Sequence, residues 1–144
     1  MYENKMILKF DAKSENEALA RLVVAAFTAK LDPTLEEMAD IKTAVSEAVT
    51  NAVIHGYPDE AGEVTLKCEI TDKTLEIEIK DNGVGIEDIE KAREPLFTTR
   101  PELERSGMGF VFMEVFMDTF NIISAPGKGT LIRMKKTIGK YEID

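Results

Sequence analysis

Residues 46–56, SEAVTNAVIHG, set a carboxylate and a carboxamide four positions apart, at Glu47 and Asn51. At about 100° per residue, Met38, Ile41, Val45, Ala48, Val49 and Ala52 gather within roughly 60° of Val45, and Glu47 and Asn51 fall on the opposite side. The stretch therefore reads as an amphipathic helix with an apolar stripe facing a core. Side chains at i and i+4 project the same way, so one member of the pair can hold a metal ion while the other accepts a proton. Taken alone, E-x-x-x-N is also the pattern of a solvated helix face, and the rest of the chain decides between the two.

The composition bounds the answer. A chain of 144 residues with 44% hydrophobic and 31% charged residues is expected to form one soluble domain spanning 1–144, large enough to bury a core. With 18 Lys+Arg against 27 Asp+Glu the net charge is -9, which disfavours sequence-independent attraction to nucleic acid or an anionic membrane and favours a protein partner. One cysteine, Cys68, leaves no internal disulfide, and one histidine leaves no cluster of soft metal ligands. No run approaches the ~20 apolar residues that span a bilayer, and MYENKMILKF opens with alternation rather than a signal-peptide core. A cytoplasmic location is the expectation.

Outward from the central helix the chain alternates between two periods. Met6, Leu8 and Phe10 suit a half-buried strand. Ser14 with Glu17 has capping-box spacing and opens a helix to about Lys30, with Leu19, Leu22, Val23, Ala26 and Phe27 inward and Glu15, Arg21 and Thr28 left for solvent or a partner. Asp32-Pro33 breaks the chain, and Thr34 with Glu37 caps the central helix, which ends near Gly56 as a left-handed terminator. Residues 63–70 and 74–80 alternate as a hairpin. By parity with Leu75, Ile77 and Ile79, Asp81 points inward, where a carboxylate needs a partner.

Asn82-Gly83-Val84-Gly85 follows, then a short acidic helix at 88–93. Residues 95–106, PLFTTRPELERS, form a long irregular loop. Gly107-Met108-Gly109 leads into a helix at 110–117 packing through Val111, Phe112, Val115 and Phe116. A second hairpin, 120–124 with 130–136, closes the chain, and Thr130 shares the inward parity of Ile132 and Met134.

Four features carry chemistry. Glu47 and Asn51 are the first. The second is the inward Asp81 ahead of Gly83 and Gly85: a buried acceptor could take the exocyclic amino group of adenine, and glycines let backbone approach a flat ligand. The third is Gly107-Met108-Gly109 at a helix start, where free N–H groups and the helix dipole bind phosphate; it is neither a Walker sequence nor a dinucleotide fingerprint. The fourth is Gly129-Thr130 at a strand start. Each alone has a bland reading as a turn or strand end.

Together and in this order, the four resemble the Bergerat nucleotide-binding fold shared by gyrase, Hsp90, histidine kinases and MutL. SEAVTNAVIHGY, DNGVGI, PLFTTRPELERSGMGF and GKGT narrow the resemblance to the anti-sigma factors that double as serine protein kinases, the sporulation sigma F-directed group above all. The resemblance covers nearly the whole chain. It implies an α/β (α+β) two-layer sandwich, with a mixed, mainly antiparallel sheet and helices on one face. It implies ATP or ADP with Mg²⁺: Asn51 on the metal, Glu47 as general base, Asp81 and Thr130 on adenine, and Gly83 and Gly85 shaping the base pocket. Thr98, Thr99, Arg105, Ser106, Gly107, Met108 and Gly109 would form a lid over the phosphates, with Arg105 stabilising the transferred group.

The implied partners are a sigma factor of the sigma F type, an anti-anti-sigma factor phosphorylated on serine, and a second copy of the chain, with Arg21 a docking residue. The segment Gly107 to Phe110 is shorter than the glycine box of many histidine kinases, which sets those kinases apart as relatives.

Rival readings differ in class. A sensor histidine kinase fragment would need a phosphoacceptor histidine on a separate hairpin, and the single histidine, His55, reads instead as packing beside the pocket. A pure nucleotide-binding module would need no base where Glu47 stands. An ATPase machine of the gyrase or Hsp90 type would need further domains.

Overall fold

The computed structural model describes residues 1–58, 61–95 and 108–139. Strand β1 (Glu3–Asp11) leads to helices α1 (Asn16–Thr28) and α2 (Leu35–Asn51), then β2 (Glu63–Thr71), β3 (Thr74–Asp81), the short α3 (Ile89–Ala92), α4 (Gly109–Phe116), β4 (Thr119–Ser124) and β5 (Thr130–Thr137). The strands form one sheet in the order β1-β2-β3-β5-β4. Every pairing in it is antiparallel, so the mainly antiparallel sheet expected is antiparallel throughout. Helix α2 packs against both α1 and α4 over the sheet, giving the two layers. Among the described residues no helix is long and apolar enough to cross a membrane.

The two-residue period of the sheet does what its pattern requires. Val64, Leu66, Cys68 and Ile70 of β2, Leu75, Ile77 and Ile79 of β3, and Ile132 and Met134 of β5 are buried under the helices. Glu76, Glu78, Arg133 and Lys135 sit on the other face in cross-strand ion pairs. Burial pushes the Cys68 thiol up to about 12, which leaves it an inert core residue.

Helix α2 begins as its sequence indicates. Thr34 Oγ1 accepts the Glu37 N–H at 3.0 Å, and Glu37 Oε1 accepts the Thr34 N–H at 2.9 Å. Glu37 Oε2 also takes the Gly139 N–H at 2.9 Å, tying the end of β5 to the start of α2. Ile41, Val45, Ala48, Val49 and Ala52 are buried as the 100° rule predicts, joined by Ala44.

Helix α1 departs from expectation in two ways. No side chain caps it, because Glu17 turns to Arg21 at 3.2 Å and receives the Ser46 hydroxyl of α2. Its buried stripe is Ala20, Val24 and Thr28, while Leu19 and Leu22 are exposed, Leu22 by 65%. Residues 18–20 and 22–27 are apolar all round, so periodicity does not single out one face, and the small Ala20 lets α1 lie close on α2. Thr28, expected outside, donates its hydroxyl to the Val24 carbonyl at 2.8 Å and is fully enclosed. In α4 the packing residue is Met113, with Val115 67% exposed.

Candidate functional site

The end of α2 forms one wall of a cavity of about 1070 Å³, and Glu47, Asn51 and His55 line it on successive turns. Past Asn51 the helix widens into a π-type turn over Ala52–Gly56, a deviation that recurs at functional sites. The opposite wall is the loop after β3, through Val84, Gly85 and Ile86, together with Ser124 to Pro126 of the second hairpin. Met108 and Gly109, at the start of α4, close a third side. The first turn of a helix has N–H groups without intrahelical acceptors, so this side suits an anion.

Asp81 ends β3 directly opposite Thr130 of β5, inward as its parity requires. The residue is 2% exposed. Burial raises its pKa above the ordinary carboxylate value, with the Gly83 and Thr130 N–H groups pulling the other way. Neither Asp81 nor Thr130 (4% exposed) lines the cavity; both sit immediately behind its loop wall.

The glycines explain how that wall is built. A Cβ on Gly56 would lie 2.8 Å from Asp81 Cγ, so the residue is glycine to seat the carboxylate. It does not adopt the left-handed terminator conformation expected of it, because the helix leaves through a π turn instead. A Cβ on Gly83 would fall 1.8 Å from the Gly56 oxygen, and one on Gly85, whose φ is +76°, 1.9 Å from the Ala125 oxygen. The space these glycines leave open is thus filled by the protein's own backbone, and they shape the pocket by letting α2, the loop and the second hairpin meet.

Two contributors are not marked by any local sequence pattern. Ser124 lies across from Thr130 in the β4–β5 pairing, with the two hydroxyls 2.8 Å apart. Its oxygen also accepts the Ile86 N–H and lies 2.8 Å from the Gly129 carbonyl that it can donate to. The hairpin register alone would have paired the hydroxyls. Tyr57, buried behind the loop, bonds to Asn82 and Glu63, and no local pattern points to it.

Of the lid residues, Met108 and Gly109 flank the cavity, whereas Thr98, Thr99, Arg105, Ser106 and Gly107 lie outside the described residues. Arg21 stands apart on α1, paired with Glu17.

The donor set fits a magnesium nucleotide. Among the described residues no three His, Cys, Asp or Glu side chains cluster as a self-sufficient metal site. Mg²⁺ that arrives on phosphates needs only one or two protein oxygens and keeps its waters, which the Asn51 carbonyl can supply. The cavity volume is that of a cofactor-sized pocket.

Comparison with known proteins gives a consistent neighbourhood. Residues 10–136 match the histidine kinase-like ATPase domain family. The anti-sigma F factor of Clostridium acetobutylicum is 61% identical over 142 residues, covering 99% of each chain. That of Caldanaerobacter subterraneus is 60% identical, covering 96% of this chain and 97% of its own. That of Thermoanaerobacter sp. is 62% identical, covering 96% of both. Among solved structures, the RsbU and RsbW domains of a Mycobacterium tuberculosis protein superimpose with a TM-score of 0.67 at 18% identity, over 94% of this chain. The chain spans 32% of that protein's length, and the likeness is one of fold.

Proposed function

Because the chain belongs to the anti-sigma F factors among the histidine kinase-like ATPase domains, we propose that it binds and inhibits a sporulation sigma factor and uses ATP to phosphorylate an anti-anti-sigma partner on serine. The observation that carries the reading is the placement of Glu47 and Asn51 one turn apart on the wall of a cofactor-sized cavity, with the buried Asp81–Thr130 pair behind the facing wall.

In this reading the adenine amino group donates toward Asp81, with the Thr130 and Ser124 hydroxyls beside it. The N-terminus of α4 would face the phosphates, and Asn51 would lend its oxygen to the metal. Bound Mg²⁺ would neutralise charge on the β- and γ-phosphates. Glu47 takes the proton from the partner's serine hydroxyl as its oxygen bonds to the γ-phosphorus and ADP departs. Arg105 and its neighbours in 98–107 would cover the transferring group. The chain would work as a homodimer, with Arg21 on the partner-facing side of α1 and no direct contact with nucleic acid.

A second reading, nucleotide binding without transfer, keeps every feature except a use for Glu47. Incubation with γ-labelled ATP, Mg²⁺ and a candidate anti-anti-sigma protein, followed by phosphoamino-acid analysis, separates the two. Phosphoserine on the partner is the expected result. Bound nucleotide with no label transferred favours the module, and label on His55 favours a histidine kinase.

A further inference from the structure

We propose that Tyr57 is a positioning residue for the nucleotide, its hydroxyl fixing the loop behind Asp81 to the end of the helix that carries Glu47 and Asn51. The inference rests on the nucleotide reading of the site and assigns a further residue to it.

Three successive N–H groups tie the loop in place. At Asp81 the ladder of β3 ends, paired with Val64 on one side and Thr130 on the other. The next N–H, of Asn82, goes to the Tyr57 hydroxyl at 2.7 Å. That of Gly83 goes to Asp81 Oδ1 at 2.9 Å, and that of Val84 to the Gly56 carbonyl at 2.9 Å. Two of the three acceptors therefore come from adjacent residues, 56 and 57, at the exit of the Glu47 helix. The loop has no repeating structure of its own; these two residues fix its first half, while the Ser124 hydroxyl takes the Ile86 N–H and the Gly127 N–H bonds the Val84 carbonyl beyond it.

Tyr57 is fitted for this duty. Its oxygen accepts from Asn82 while donating to the Glu63 carbonyl at 2.8 Å, so the proton is committed and the lone pair faces the loop. The residue is 8% exposed, and the place of a Cβ on Gly62 is only 2.4 Å from its Cδ1 and Cε1. A phenylalanine would fill the same space and lose only the oxygen. The Asn82 N–H would lose the acceptor that fixes it in place, next to the carboxylate assigned to the base.

The consequence is an affinity effect separate from turnover, since Asn51 and Glu47 lie six and ten residues back along the helix and keep their own packing. In Tyr57→Phe the Kd for ADP and the KM for ATP should rise about tenfold or more, with kcat at saturating ATP within about twofold. The Asn82 and Val84 amides should exchange with deuterium faster than in the parent. Gly62→Ala, which displaces the ring without removing the hydroxyl, should weaken ADP binding in the same direction.

If Tyr57→Phe lowers Tm but binds ADP as the parent does, the residue is merely structural and the proposal is overturned. It is also overturned if the Asn82 amide exchanges at the parental rate. A parent protein that binds no adenine nucleotide would instead sink the reading of function beneath it, a result visible before any variant is made.

Discussion

The two walls of the cavity are built on opposite principles. The α2 wall is local: a capping box starts the helix, an apolar stripe seats it, and Glu47 and Asn51 follow from its period on the far side. The loop wall is non-local, held by Gly56, Tyr57 and Ser124, whose partners lie 25 to 38 residues away for the two side chains, and by positions where no Cβ fits. A helix wall of this kind should tolerate side-chain changes structurally and register them only in chemistry. The loop wall should register even a methyl group in both.

The sharpest contrast comes from one variant on each wall. Glu47→Ala removes a half-buried carboxylate from a helix that its apolar stripe still holds, and alanine favours the helix. Serine phosphorylation should fall by about 10² to 10⁴, the usual contribution of a general base. ADP binding and Tm should stay close to the parent's in calorimetry. Transfer at an undiminished rate would remove Glu47 from the mechanism. Gly83→Ala adds a single methyl group at a point 1.8 Å from the Gly56 oxygen. The backbone must separate, at a cost of about 1–3 kcal/mol as for other overpacked sites, and nucleotide binding should weaken with it. A variant with parental Tm and parental ADP affinity would show the two segments to be less tightly joined than their geometry indicates.

Asp81→Asn tests the loop wall electrostatically. Burial raises the Asp81 pKa in the folded protein. The stability this contributes is complete below the unfolded-state pKa, in the ordinary carboxylate range, and is lost as the pH rises through the raised folded value. At neutral pH the nucleotide-free protein therefore carries the cost of a buried charge. The asparagine variant keeps an oxygen for the Gly83 N–H but carries no charge. Its nucleotide-free Tm at pH 7 should exceed the parent's, and the gap should close as the pH falls into the acid range. ADP affinity should drop about tenfold, the value of a hydrogen bond to a charged acceptor. A lower Tm at pH 7 would mean that the carboxylate is paired better than its surroundings show.

The same contrast explains what could be read from the chain. The β2–β3 hairpin, the α2 stripe, the Thr34–Glu37 box and the inward parity of Asp81 and Thr130 depend on neighbours within a few residues, and each is found where its period or spacing places it. The Ser14–Glu17 pair has identical spacing and forms no box, because Glu17 finds Arg21 and Ser46 instead. Leu22 and Thr28 depart from their expected places because α1 is apolar on nearly every side and only its fit to α2 decides what is buried. Gly56 looked like a helix terminator, and the acceptor it makes room for sits 25 residues on. Chain proximity carries no trace of such contacts.

The smallest expected effect lies at the start of α2. Thr34→Ala removes the acceptor for the Glu37 N–H but leaves the Thr34 N–H bonded to the Glu37 carboxylate. Half a capping box is lost, worth about 1 kcal/mol. Burial acts against the Glu37 charge, yet the N–H groups of Thr34 and Gly139, the Thr34 hydroxyl and Lys136 hold its pKa below the usual value. Such a group stabilises the fold above its unfolded pKa, and the contribution fades as the pH falls through the lowered folded value. The Tm deficit of Thr34→Ala should thus be largest near neutral pH and shrink under acid conditions, the reverse of the trend for Asp81, where the parent itself gains as the pH falls. Nucleotide affinity should not change, because the cap is more than three turns from Glu47 and the stripe between them is intact. A clear loss of ADP binding in Thr34→Ala would mean that the helix wall is less locally determined than its sequence suggests.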